Sequence, residues 1–219
     1  MKCREWFDSC KYATIDLSGG KMKHHKSVFD NEQELLQAVL DVHNDGQSIE
    51  CDPMYNKGMF YKALLQKPKY RFDISATEKG YDAVDGDATA LPLNDNSVQS
   101  VILDPPFMFG THGQTVNNVV NKRYTMFDSF GELEDCYKGI LKEAYRILKK
   151  GGLLIFKCQD YTDSKTTMTH CMVYDWATAL GFYAKDMAIL VKPNKIYNGN
   201  VKQRHLRKVH TYFWVFVKK

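Results

Sequence analysis

An apolar run, an amphipathic helical stretch and a second apolar run follow one another between residues 98 and 157, and this succession limits the fold more than any other feature. Val98, Val101, Ile102 and Leu103 predict a strand over 98–103. From 130 to 150, Leu133, Tyr137, Ile140, Leu141, Ala144 and Leu148 fall on one helical stripe. Lys149 and Lys150 complement the helix dipole, Gly151-Gly152 ends the helix, and a strand is expected over 153–157. Strands that alternate with helices imply a mostly parallel sheet covered on both faces.

The flanking sequence extends the alternation. Asp30 reads as an N-cap, with Glu32 and Glu34 in the first turn and Leu35, Leu36, Val39 and Leu40 at helical spacing up to the stop Asn44-Asp45-Gly46. Short strands are predicted over 48–51, ending at Asp52-Pro53, and over 70–74. A helix over 168–180 closes at Gly181, and strands over 184–191 and 211–217 follow. Only a loop joins these last two, so they are expected as antiparallel neighbours. The expected architecture is one α/β domain over 1–219: a Rossmann-like doubly wound sheet, mostly parallel with an antiparallel last strand. Residues 1–30 form an N-terminal extension with a leading motif, 108–125 a polar lid loop, and 193–208 a basic loop. In such sheets ligands bind beyond the carboxyl ends of the strands. Asp52, Asp73, Asp104 and the segment after Lys157 all fall there.

With 44% hydrophobic and 26% charged residues the composition is globular. No apolar run is long enough to cross a bilayer, so no membrane partner is expected. Met1-Lys2-Cys3-Arg4-Glu5-Trp6 lacks an apolar signal core, and the expected location is the cytoplasm. The six cysteines include no C-x-x-C pair, which points to free thiols. Cys3 and Cys10 could join His24 and His25 in a zinc site, but their spacing is irregular, and unpaired thiols and surface histidines with no metal are the expected reading. The net charge of +4 is unevenly spread: after Asp186 there is no acid, while Lys192, Lys195, Lys202, Arg204, Arg207, Lys208, Lys218 and Lys219 follow. Such a face suits a polyanion, and a solvated tail is the plainer reading.

The strand over 98–103 ends in V-I-L-D-P-P-F-M-F-G. D-P-P-F after an apolar strand resembles the catalytic tetrapeptide of S-adenosylmethionine-dependent amino-methyltransferases, which methylate exocyclic amines, chiefly of adenine. The upstream stretch E-C-D-P-M-Y-N-K-G-M-F-Y resembles the family's first cofactor loop. F-D-I ends the strand where the family places its ribose-binding carboxylate. G-D-A-T-A-L-P resembles the motif that contacts the cofactor adenine, and K-H-H-K-S-V-F-D resembles the leading motif at the methionine end. The resemblance implies a class I methyltransferase fold and S-adenosylmethionine as cofactor. It implies catalytic roles for Asp104, Pro105, Pro106 and Phe107. Cofactor contacts are implied for His25, Val28, Asp52, Pro53, Met54, Gly58, Asp73, Ile74, Asp87 and Ala88.

The chemistry fits that assignment. An aromatic amine is a poor nucleophile because its lone pair is delocalised into the ring. Hydrogen bonds from that amine to the Asp104 carboxylate and the Pro105 carbonyl would draw the nitrogen towards tetrahedral geometry. Pro restrains the residue before it, and Phe107 would stack on a base extruded from its helix. Lys122, Arg123, Lys202, Arg204, Arg207 and Lys208 are the expected contacts to nucleic acid, with DNA ahead of RNA. One departure stands out: Gly58 is alone in a loop where the family usually has two or more glycines, with Asn56 and Lys57 in place of small residues. No separate target-recognition domain is expected, and carbon-five methylation of cytosine is set aside because no Pro-Cys occurs. RNA adenine methylation, cytosine-N4 methylation and a catalytically silent nucleic-acid-binding subunit are the alternatives.

Overall fold

The computed structural model describes residues 24–110, 127–162, 165–192, 204–206 and 208–219. The main sheet consists of β1 (Val28–Phe29), β2 (Cys51–Asp52), β3 (Tyr70–Asp73), β4 (Val84–Asp85), β5 (Val98–Leu103), β6 (Leu148–Cys158), β9 (Phe182–Val191) and β10 (His210–Lys218). Their order across it is β1-β9-β10-β6-β5-β2-β3-β4. All neighbours pair in parallel except β10, which runs antiparallel to both β6 and β9. A small hairpin of β7 (Tyr161–Thr162) and β8 (Thr166–Thr167) stands apart. The chain is therefore a Rossmann-like doubly wound sheet. It winds outward from β2 to β4 in one direction and from β5 to β6 in the other, with the crevice between β2 and β5.

Two helical layers cover the sheet, and a single turn of helix, α2 (Ala76–Lys79), links β3 to β4. Helices α3 (Phe130–Ile147) and α4 (Thr169–Ala179) pack Leu133, Tyr137, Ile140, Val173 and Ala177 onto Val101, Leu103, Leu154 and Phe156. On the other face α1 (Glu32–His43) packs Leu35, Leu36 and Val39 with Ile102, Leu153, Ile155 and Phe213. Successive side chains of a strand point to opposite faces. Because both faces of β5 and β6 are buried, their central positions are apolar until the carboxyl ends are reached.

Several boundaries differ from the sequence-based expectation. Asn31, not Asp30, caps α1: its Oδ1 accepts the backbone N–H of Gln33 at 2.9 Å and of Glu34 at 3.2 Å. The strand expected over 48–51 is β2 at Cys51–Asp52, so Asp52 lies inside the sheet. Helix α3 ends at Ile147 rather than Lys150, because Leu148 already pairs with Val98 and the next residues form an irregular, bulged start to β6, with Gly151 at φ 79°. The cation at the helix end is consequently neither Lys149 nor Lys150. Lys218 reaches in from β10, and its Nζ donates to the carbonyls of Tyr145 at 2.6 Å and Leu148 at 2.8 Å and to Asn96 Oδ1 at 2.7 Å.

Lys218 thus ties the last strand to the end of α3 through three charge-assisted hydrogen bonds. Replacing it in Lys218→Met should leave buried carbonyls unpaired and lower stability by about 2–3 kcal/mol. A urea unfolding midpoint equal to the parent's would remove Lys218 from this role.

Candidate active site

A cavity of about 500 Å³ opens at the carboxyl edge of the sheet, over the crevice between β2 and β5. Its lining brings together most of the residues singled out in the sequence: Pro53, Met54, Asp73, Ile74, Asp87, Ala88, Asp104, Pro105, Pro106 and Phe107. They arrive from four successive strand ends, so the sheet itself assembles the site.

Asp104 is the first residue beyond β5. Two-residue alternation puts it on the same face as Ile102, towards α1. On the neighbouring strand the same face carries Ile155 and then Lys157, and Leu103 pairs with Phe156, so Asp104 and Lys157 are lateral neighbours. Lys157 Nζ lies 2.9 Å from Asp104 Oδ2 and 2.9 Å from Glu32 Oε1 at the start of α1. The Asp104 side chain is 29% exposed and lines the cavity. Protein on every other side gives a burial effect that pushes its carboxyl up, against the downward pull of Lys157. Lys157 has the opposite problem. Burial disfavours its charge, yet Asp104 and Glu32 together raise its ammonium above the usual lysine range. Lys157 lines the cavity too, and the sequence reading passes it over. A lone lysine inside L-L-I-F-K-C is the available clue.

The corner after Asp104 is held from the other face. The Tyr137 hydroxyl, on the fully buried Tyr137 of α3, donates to the Pro106 carbonyl at 3.0 Å. Phe107 is partly buried on the cavity wall. Beyond it, Met108 and Gly110 are hydrogen-bonded to Phe127, and Phe109 packs on Phe130 and Tyr161. The rest of the predicted lid, 111–125, including Lys122 and Arg123, lies outside the described residues.

The cofactor-type residues fare unequally. Asp73 ends β3, and its Oδ1 accepts the Ser75 N–H at 3.1 Å. Asp87 holds a tight turn, its Oδ1 accepting from the N–H and hydroxyl of Thr89 at 2.8 and 2.7 Å. Asp52 is only 2% exposed and does not reach the lining; its carboxylate accepts from the Tyr61 hydroxyl at 2.8 Å and the Met54 N–H at 3.0 Å. It braces the loop from below. Gly58 is also outside the lining: at φ 62° it turns the chain tightly over Tyr55. Asn56, which lines the cavity with Pro53 and Met54, has a φ of 50°, the left-handed conformation that glycine usually supplies and asparagine tolerates. This accounts for a working bend in a glycine-poor loop.

His25 and Val28 are not brought to the cavity. β1 pairs with β9 at the far edge of the sheet, where His25 lies 3.5 Å from Asp41. It is Glu32, a few residues later, that carries this N-terminal stretch to the site. Of the basic loop, Arg204 is exposed and Lys208 partly buried, while Lys202 and Arg207 lie outside the described residues. Gln159, two residues past Lys157, donates from Nε2 to the carbonyls of Lys208 and His210 at 3.2 and 2.9 Å, which fixes the end of that loop beside the end of β6. Among the described residues no helix is long and apolar enough to cross a membrane, and no cluster of His, Cys, Asp or Glu is arranged to hold a metal ion.

Residues 98–219, more than half of the chain, match the family model described as DNA methylase, of the N6/N4 type. Similar solved structures include a candidate DNA modification methylase of Thermus thermophilus in complex with S-adenosyl-L-methionine. It is 17% identical with a TM-score of 0.43, over 61% of this chain and 53% of that one. The cytosine-N4-specific PvuII DNA methyltransferase is 16% identical with a TM-score of 0.46, over 62% and 48%. An S-adenosylmethionine-dependent methyltransferase of Thermotoga maritima is 19% identical with a TM-score of 0.47, over 85% and 88%. The chain spans about half the length of the first two. No curated protein sequence matches it.

Asp52 makes the site's support sensitive to pH. Burial pushes its carboxyl up to about 7, against the hydrogen bonds from Tyr61 and Met54, from an ordinary value of 3.8. A raised acid stabilises the fold fully below its unfolded value, and that contribution is lost as pH rises through the folded value. Asp52→Asn keeps the shape and cannot ionise. Its stability relative to the parent should therefore climb between about pH 4 and 7 and level off above. Urea unfolding across that range checks this, and a flat difference would rule out the raised carboxyl.

Proposed function

Because the chain belongs to the N6/N4 DNA methylase family, whose members use S-adenosylmethionine, we propose that it transfers a methyl group to the exocyclic amino group of adenine in DNA. The observation that carries this reading is the convergence of Asp104, the Pro105-Pro106 corner and Phe107 with Asp73 and Asp87 around one cavity.

The residues present suit the cofactor. Asp73 at a strand end is placed for ribose hydroxyls. Ile74, Asp87 and Ala88 would meet the adenine, and Pro53, Met54 and Asn56, which line the same cavity as Asp104, would meet the rest of the cofactor. When bound, S-adenosylmethionine supplies an electrophilic sulfonium methyl; it would give that methyl to the amine nitrogen and keep the sulfur–carbon electron pair. Asp104 and the Pro105 carbonyl accept the two N–H groups of the target amine and free its lone pair. Asp104, the base within hydrogen-bond reach, takes the surplus proton. Tyr137 occupies the Pro106 carbonyl, which stiffens the corner carrying the Pro105 acceptor. Phe107 supplies a ring for the extruded base.

Adenine is favoured over cytosine by the Asp-first tetrapeptide. The silent-subunit alternative draws its support from the glycine-poor loop, and the left-handed Asn56 weakens it. Labelled cofactor incubated with separate DNA and RNA pools, followed by digestion to nucleosides, tests base and polymer together. N6-methyldeoxyadenosine is expected; N4-methyldeoxycytidine or a methylated ribonucleoside would replace the finer assignment, and no labelled nucleoside at all would favour the silent subunit.

Two mutational outcomes separate the roles. Asp104→Ala should cut transfer by orders of magnitude and leave cofactor affinity nearly intact, whereas Asp73→Ala should weaken cofactor binding by about 1.5–3 kcal/mol. Normal turnover in the first, or an unchanged dissociation constant in the second, would end that residue's assignment.

The basic loop generates a further outcome. If Arg204 and Arg207 meet phosphates, changing both to Ala should lower the salt slope of DNA binding by about one to two units, equally for all sequences. Binding curves that overlay the parent at low and high salt would make the loop a solvated tail.

A further inference from the structure

Lys157 is an expensive residue where it stands. Its strand neighbours Ile155, Phe156 and Cys158 are fully buried, and its ammonium sits over the rings of Phe60 and Phe213 at 5.0 and 5.7 Å. A buried ion pair usually stabilises a fold no better than apolar residues of similar volume. Stability alone therefore gives poor reason for a lysine here. Its geometry supplies another: Nζ is 2.9 Å from one oxygen of Asp104 and 2.9 Å from Glu32.

We infer that Lys157 and Glu32 are a positioning pair for Asp104, with Lys157 pinning Oδ2 so that Oδ1 is presented to the target amine and Glu32 sharing Lys157's charge so that Asp104 stays a strong acceptor. This rests on the reading of Asp104 as the amine's acceptor. A lysine bound to Asp104 alone would form a neutral pair and drain the carboxylate of acceptor strength. With Glu32 the three groups carry a net negative charge, part of it on the free oxygen of Asp104. The arrangement also commits the start of α1 to the reaction, since Glu32 stands one residue past the helix cap Asn31.

The other charged and titratable groups facing Asp104 are few. Lys192 at the end of β9 adds a weaker pull in the same sense as Lys157, and Glu32 acts against both. Asp52 from β2 and Tyr137 from α3 feel Asp104 through space. Neither of these, nor Lys192, bonds to it among the described contacts. Burial raises the Asp104 carboxyl most, and among its charged neighbours the two partners act on it in opposite directions, Lys157 lowering it and Glu32 raising it.

The test uses that opposition. The pH dependence of single-turnover methyl transfer is measured for the parent, Lys157→Met, Lys157→Arg and Glu32→Gln, with the ionisation of Asp104 followed by carbon-13 NMR in the cofactor-free proteins. Lys157→Met should lower the rate about tenfold or more at neutral pH with cofactor affinity within about threefold, and move the acid limb up. Glu32→Gln should move the limb down, and Lys157→Arg should hold it near the parent's position. Limbs that do not move, or that move the same way in Lys157→Met and Glu32→Gln, would overturn the pairing and leave Lys157 a packing residue. If Lys157→Met fails to fold, the opposition is read from Glu32→Gln against the parent and Lys157→Arg. The NMR titration needs no turnover. Opposite shifts there with no methyl transfer in the parent would refute the role of Asp104 while keeping the pair, and absent shifts would refute the pair itself.

Discussion

The contact of Lys157 with Asp104 depends on, and reports, the central constraint of this molecule: β5 and β6 are buried on both faces. The paired stretch of the two strands has little room for charge, so the first charged side chains past it appear where the strands end. Alternation sends both towards α1, and the parallel register sets them side by side. Neither charge could stay there alone, since an unpaired buried ion costs several kcal/mol. The order of β5 next to β6, the docking of α1 above them and the position of the acid at the cavity therefore meet in one ionic contact. Any rearrangement that slipped β6 by one residue would turn Lys157 into the α3 layer and leave Asp104 without its partner.

Much of this is legible in the sequence, for physical reasons. Both ends of β5 can be read because a two-sided buried strand is mostly apolar and D-P-P stops it sharply. Helix α3 begins where its stripe begins, since Leu133, Tyr137 and Ile140 leave no other face to bury. Its end is misread because a pair of lysines before two glycines looks like a helix terminus, whereas the pairing of Leu148 with Val98 is long-range information that no local pattern holds. The same applies to Lys218, a C-terminal lysine that reads as a solvated tail and is held by three carbonyl and amide oxygens.

At the site, the acids that end longer strands are placed well by sequence alone. Asp73 and Asp104 reach the cavity because their strands deliver them there, and Asp87 is held by its own turn. Asp52 is expected on the right strand but at the wrong depth. β2 begins late and includes it, and Tyr61 turns it inward. Likeness of motif draws His25 and Val28 towards the cavity, but β1 joins the opposite edge of the sheet. What the stretch does contribute is Glu32, because α1 begins with its first turn over the β5 and β6 ends.

The distribution of charge separates two tasks. The charged residues of the cavity lining are three acids, Asp73, Asp87 and Asp104, against two lysines, Lys79 and Lys157. Of these, Lys157 is engaged by Asp104 and Glu32, and Lys79 stands 4.0 Å from Asp73. In the proposed reaction such a cavity would favour a cationic sulfonium donor over its neutral thioether product, so acids that hold the donor would loosen their grip once the methyl has left. It equally repels phosphate. In the proposed reaction a DNA backbone would then be held outside, and the cations expected to meet it are in the sequence between β9 and β10, whose last residues Gln159 holds beside the end of β6. On the proposed reading, an acidic interior would admit a base and keep its phosphates out, which is what chemistry on an extruded base requires.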